Sequence, residues 1–380
     1  MTRRERLMAT LRGEPVDRPA VSFYELNGLD EDPENTDPFN IYSHPSWRPL
    51  IELTRDYTDR IVMRGVAYAA VQPDPLESIT DTETYVRDGS RFTVRRVSVG
   101  GRVLTARTRQ DPDVNTVWTE EHLLKDTGDV RAFLQIPQPS TGDTIDTTPV
   151  RDAEAALGDT GIVMIDTPDP LCLAASLFDM AEYTVIGMTE QRLFHELLER
   201  FAEPLWEKTE AVAAALPGRL WRIYGPEYAS PPYLPPELFR EYVCRYVTPM
   251  IESIHRHGGY VRIHSHGNLK AILDDIAGMG ADALDPIEPP PQGDVELRYV
   301  RKRYGDRLVL FGNLEVSDIE NLATERFAEK VRRALDEGTA GTGRGFVLLP
   351  SACPYGRELS TLALRNYETM VEMVHRVSGV

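Results

Sequence analysis

The sequence predicts an α/β protein built as one (β/α)8 TIM barrel over residues 1–380. Three observations carry that expectation. Eight short apolar runs alternate with longer amphipathic segments, at Ala20–Tyr24, Arg60–Arg64, Gly161–Ile165, Leu220–Tyr224, Tyr260–His264, Ala283–Ile287, Arg307–Phe311 and Phe346–Leu349. Parallel strands joined by crossover helices read this way. At 380 residues the chain exceeds an ordinary domain but not a barrel with insertions. Carboxylates, imidazoles and a thiol follow directly after the runs, at the strand ends where barrels keep their chemistry.

The elements follow in order. Thr2 with Glu5 spells a capping box, and Leu7, Met8 and Leu11 share one face of the helix it opens. Pro15 and Pro19 end that helix and launch the first strand. Between the second and third runs the alternation breaks. Residues 82–120 hold the strand-like stretches Thr84–Val94 and Arg102–Arg109 around Asp88-Gly89 and Gly100-Gly101 turns. Such turns join antiparallel strands, so this is an antiparallel β insertion over the barrel and not a domain of its own. After the fourth run, Leu238, Phe239, Tyr242, Val243, Tyr246, Val247, Met250, Ile251 and Ile254 form one helical stripe. Pro236 suits its first turn, Gly258-Gly259 suit its end, and Pro249 predicts a kink.

Composition narrows the function classes. Hydrophobic content of 41% and charged content of 27% are those of a globular protein with a sizeable core. The net charge of −18 repels phosphate backbones and argues against nucleic-acid partners. Three dispersed cysteines, Cys172, Cys244 and Cys353, make no disulfide framework and point to a reducing compartment. No apolar run follows the basic start as a signal peptide would require, and none is long enough to span a membrane. A cytoplasmic enzyme acting on small molecules is the expectation.

Candidate site residues are read off the strand ends. Glu227 follows the fourth run, His264 and His266 close the fifth, and Asp285 and Glu288 stand at the sixth. Asn313 and Glu315 follow the seventh and Cys353 the eighth. Residues i and i+2 of a strand share a face, so His264 and His266 are able to reach one ion, and zinc takes N, S and O donors. The bland alternative is a pair of rim histidines bonded to carboxylates, with Asp285 and Glu288 as their orienting partners. His255 and His257 share the spacing but end a helix, where i and i+2 diverge. Cys172 is a reserve ligand in an apolar Leu-Cys-Leu setting, and Cys244 flanks a helix stripe. The Gly341–Gly345 stretch precedes a strand and fails the context of a phosphate loop.

These residues together resemble the uroporphyrinogen decarboxylase superfamily, which includes zinc-dependent methylcobamide methyltransferases. The likeness rests on Arg4-Glu-Arg-Leu7, Leu11-Arg-Gly-Glu-Pro-Val-Asp-Arg-Pro19, Tyr224-Gly-Pro-Glu-Tyr-Ala-Ser230, Pro236-Glu-Leu-Phe239, His264-Ser-His-Gly267, Phe311-Gly-Asn313 and Leu349-Pro-Ser-Ala-Cys353. Decarboxylases of the superfamily carry an arginine-rich motif soon after the first strand. Here that stretch is Phe23-Tyr-Glu-Leu-Asn-Gly-Leu-Asp-Glu-Asp32, acidic and unsuited to a polycarboxylate. The methyltransferase branch has His-x-Cys-Gly at the fifth strand and a later Cys near the eighth. His264 and Cys353 match it, and His266 stands where the first Cys would be.

The resemblance therefore implies zinc held by His264, His266, Cys353 and Glu227, with Asp285, Glu288 and Asn313 shaping the pocket. One thiolate, one carboxylate and two imidazoles leave such a site neutral, a stronger Lewis acid than a two-thiolate site. That favours a demethylating role between a small methylated compound and a corrinoid on a separate protein, or another small acceptor. Relatives often pair, which makes a homodimer the candidate assembly. The alternatives are a metal-free lyase using His264 and the acids for proton transfer, and a non-catalytic tetrapyrrole or corrinoid binder.

Overall fold

The computed structural model describes residues 1–69, 72–139 and 144–377. Eight parallel strands form one curled sheet: β1 (Ala20–Val21), β2 (Arg60–Met63), β3 (Gly161–Pro168), β4 (Leu220–Tyr224), β5 (Tyr260–His264), β6 (Ala283–Asp285), β7 (Val309–Leu314) and β8 (Phe346–Pro350). Each falls on one of the eight apolar runs. From β2 to β8 each strand pairs with the next in sequence, and β8 returns to pair with β1, Ala20 opposite Val347. The seam between β1 and β2 is held differently. Asp59 N donates to Val21 O (2.7 Å), and the Asp59 carboxylate accepts from Val21 N (2.9 Å).

Alternation along the strands separates two cores. Ile162, Met164, Leu220, Ala283, Val309, Phe311, Val347 and Leu349 pack inside the curl. Their neighbours Val163, Ile165, Trp221, Ile223, Val261, Ile263, Leu284, Leu310 and Leu348 pack outward against the helices. The helix Arg3–Arg12 carries the Thr2–Glu5 capping box and sends Leu7 and Leu11 into the inner core. The base of the curl is therefore filled.

Residues 80–121 form a four-stranded antiparallel sheet between β2 and β3 in the chain. Its first two turns place Asp88 and Gly89 (φ 52° and 82°) and Gly100 and Gly101 (φ 59° and 75°) in the left-handed region, as two-residue hairpins of the primed type require. The Pro249 irregularity takes an unforeseen form. The stripe helix runs Pro236–Phe239 and Arg245–Arg256, and between them Arg240–Cys244 widen into a π-helical turn. Pro249 has no N–H for the Arg245 carbonyl, so the disturbance sits in the turns before the proline. Among the described residues no helix is long and apolar enough to cross a membrane.

Candidate active site

Strand alternation delivers a charged layer to the C-terminal end of the inner core. Asp166 of β3, Arg222 of β4, Arg262 of β5 and Asp285 of β6 all follow inward-facing apolar positions, and register sets Arg222 beside both Asp166 and Arg262. Arg222 grips Asp166 through two bonds, Nε–Oδ1 at 2.5 Å and Nη2–Oδ2 at 2.9 Å. Its remaining arm donates to the hydroxyl of Tyr24, just past β1. Asp285 is fully buried. The Arg262 Nε atom lies 3.0 Å from its Oδ1, but neither atom is aligned for a hydrogen bond, so this is a contact of charges. Burial alone would raise the Asp285 carboxyl; Arg262 and His264 outweigh it and pull it down to about 2.

His264 ends β5 over this layer. Its Nδ1 is 2.8 Å from Asp285 Oδ2, and its Nε2 is 3.2 Å from the Tyr24 hydroxyl. Because Asp285 is ionised it only accepts, so His264 carries a proton on Nδ1, and Tyr24 is the group placed to donate to Nε2. His266, two residues on, meets His264 edge to face with centroids 4.6 Å apart. Its Nδ1 is 2.8 Å from Glu288 Oε1. Burial would lower the His266 imidazole, but the hydrogen bond and charge of Glu288, with Glu227 and Asp285 behind, raise it. Glu288 correspondingly falls, against the effect of its burial, and also accepts from Gly267 N (2.8 Å). Beside it, burial and the charge of Glu288 push Glu315 up to about 7.

His266, Glu288 and Glu227 open on a cleft of about 560 Å³ walled by Tyr228 and Tyr233. Glu227 is placed there by Gly225, whose amide donates to its Oε2 (3.1 Å). Gly225 has a φ of 118°, and a Cβ on it would meet Cys172 Cβ at 2.3 Å and Asp169 Oδ1 at 2.4 Å. Gly225→Ala is expected to destabilise the protein by about 2–4 kcal/mol, read from urea unfolding. A loss below about 0.5 kcal/mol would show that the turn accommodates a side chain.

The predicted residues divide accordingly. His264 and His266 come together with Asp285 and Glu288 as orienting carboxylates, and Glu227 lines the same cleft. Cys353 does not join them. Its Sγ lies 3.3 Å from Pro354 O, and the groups bearing on it are Tyr42, Glu25, Glu31 and Glu320; burial pushes this thiol up strongly. Asn313 lines a separate groove with Pro289, Glu296 and Lys330 instead of the histidine cleft. Among the described residues no three His, Cys, Asp or Glu side chains form a group able to hold a metal ion, so the four-ligand set is not assembled in this arrangement.

The sequence reading missed Tyr24, Asp166, Arg222, Arg262 and Asp169. The arginines had a signal, each being a charge at an inward position of an otherwise apolar strand. Asp169 is fully buried with Oδ2 unpartnered, and burial raises it well above the carboxylate range. The acidic stretch after β1 is partly spent on its own loop: Glu31 accepts from Asn27 N and Gly28 N, and Asp30 pairs with Arg64.

Comparisons with known proteins agree with this geometry at the level of fold. A family model described as uroporphyrinogen decarboxylase (URO-D) matches residues 155–377, more than half of the chain. A methyltransferase from Methanosarcina mazei superposes with a TM-score of 0.61 at 17% identity, covering 99% of this chain and 99% of that one. A D-psicose 3-epimerase crystallised with D-fructose reaches a TM-score of 0.31 at 9% identity, over 61% of this chain and 82% of that one, too slight a likeness to carry an argument. No protein with a curated description matches.

Proposed function

The chain belongs to the uroporphyrinogen decarboxylase family, and from that premise we propose that it is a methyltransferase, moving a methyl group between a small methylated compound and a small acceptor or a corrinoid on a separate protein. The observation that carries the reading is the pair of rim imidazoles at 4.6 Å, each with Nδ1 held by a buried carboxylate, beside a cleft of small-molecule size. Carboxylates on Nδ1 fix the ring orientation and turn Nε2 of each ring into the working nitrogen, as in metal-ligating histidines.

Zinc would be held by His264 and His266 through Nε2, with Glu227 and Cys353 completing the set only after their side chains turn toward the pair, and would supply a Lewis acid for the heteroatom that loses the methyl group. The chain's own groups do the rest. Asp285 and Glu288 hold the two rings, Arg222 grips Asp166 and Arg262 faces Asp285 beneath them, and the tyrosine walls of the cleft narrow access for water. The M. mazei methyltransferase, alike in fold along its whole length, is in keeping with this assignment.

One observation favours a metal-free lyase instead. Both nitrogens of His264 are engaged, by Asp285 and Tyr24, as in a proton-transfer relay. Elemental analysis decides between the two. The methyltransferase reading expects one zinc per chain, lost in a His264→Ala/His266→Ala double variant, and Glu288→Gln is expected to weaken zinc binding by roughly 10–100-fold. Protein that turns over fully without zinc sinks the zinc assignment and supports the lyase.

A further inference from the structure

The cleft in front of His266 has a charge balance and a wall chemistry that together specify its occupant. Among the described residues no lysine or arginine lines it. Two acidic side chains, Glu227 and Glu288, line it against a single imidazole, His266, whose Nδ1 lies 2.8 Å from Glu288 Oε1, so acidic groups outnumber basic ones. Glu227 accepts from the Gly225 amide, is half-buried, and among the described residues makes no ion pair with a lysine or arginine. The walls are the rings of Tyr228 and Tyr233 and the thioether of Met180, with Tyr233 43% and Met180 40% exposed. Aromatic faces attract cations, and soft thioether and ring surfaces accept methyl groups without offering hydrogen bonds. The excess of acidic groups beside aromatic walls disfavours anions and favours a cation over its neutral isostere, since Ser230, Asn268 and Gln292 offer both the same hydrogen bonds.

We propose that the cleft takes a cationic methylated small molecule, a quaternary ammonium or tertiary sulfonium compound, with Glu227 facing the onium charge and Tyr228 and Tyr233 packing on its methyl groups. The inference rests on the methyltransferase reading for the fate of the ligand, though not for its charge, and it keeps Glu227 in the cleft wall rather than turned onto a metal. Loss of a methyl from such a donor breaks a C–N or C–S bond whose electron pair stays on the heteroatom. The leaving group is then a neutral amine or thioether, and a nucleophilic acceptor, a thiolate or a reduced corrinoid, supplies the pair for the new bond to carbon.

The test compares choline with its uncharged carbon isostere 3,3-dimethyl-1-butanol and with the anion methanesulfonate, by calorimetric titration of the intact protein. Choline is expected to bind at least roughly tenfold more tightly than the alcohol. Glu227→Gln and Tyr233→Leu are each expected to shrink that gap, with methanesulfonate not binding. An alcohol bound as tightly as choline, tighter binding of the sulfonate, or no binding of choline overturns the proposal. The wild-type comparison decides even where a variant fails to fold. Choline bound without any methyl loss from onium donors would leave the charge assignment standing and remove the transferase; methyl transfer from a neutral donor alone would do the reverse.

Discussion

Asp285→Asn should cost about 3–5 kcal/mol of stability, the largest loss expected for any isosteric change in the site. The side chain keeps its shape and still accepts from His264, so packing is not what fails. What fails is charge: Arg262 is 1% exposed, stacks over Phe311 at 5.0 Å, and has Asp285 as its charge partner 3.0 Å away. A guanidinium left uncompensated there costs far more than the neutral pair ever contributed. Urea unfolding measures the loss, and a second variant tests the cause. Arg262→Met combined with Asp285→Asn removes both charges, so the double variant is expected to be more stable than Asp285→Asn alone. If it is less stable, charge is not the reason.

The same pair sets an acid dependence. A carboxyl depressed to about 2 contributes stability that is complete above the ordinary carboxylate range and is given up as pH falls toward 2. Between the ordinary carboxylate range and pH 2 the wild type should therefore lose more stability than the double variant, which lacks the titrating carboxyl.

Asp59→Ala is the second large effect, again about 3–5 kcal/mol, and it lies at the opposite end of the molecule. Asp59 is fully buried and holds Arg6 (2.6 Å), Arg18 (2.7 Å) and the Val21 amide (2.9 Å) at once. Removing it strands two buried guanidiniums and opens the seam between β1 and β2. Asp17 gives the control, since it also bonds Arg6 but with its side chain 41% exposed. Asp17→Ala should cost no more than about 1 kcal/mol. Equal losses from the two alanine variants would mean that burial does not set the energetics of the seam.

Period and punctuation made the strands legible. Leu-Trp-Arg-Ile-Tyr and Tyr-Val-Arg-Ile-His were read with the boundaries the structure shows, because an apolar run buried on both faces stands out between amphipathic helices. Strand ends then located His264, His266, Asp285, Glu288 and Glu227. Cys353 marks the limit of that method. A strand end says that a residue reaches the rim, not which way its side chain turns, and Cys353 turns toward Tyr42. Asn313 shows the same limit, lying at a strand end yet facing another groove. Tyr24, Arg222 and Arg262 were passed over because each sits inside an apolar run, where composition says core; only the pairing of strands reveals that three such exceptions stack on one another. His255 and His257 were read as unable to share an ion, and they bond separate partners, Asp282 and Glu210, at 2.7 Å each.

The helix Arg3–Arg12 has a kinetic consequence. With Leu7 and Leu11 filling one end of the curl, a small molecule that reaches His266 does so from the other end, through the cleft beside Glu227 and Glu288. Under the methyl transfer proposed above, donor and acceptor would share that one approach, and an ordered arrival in steady-state kinetics is the expected sign of it.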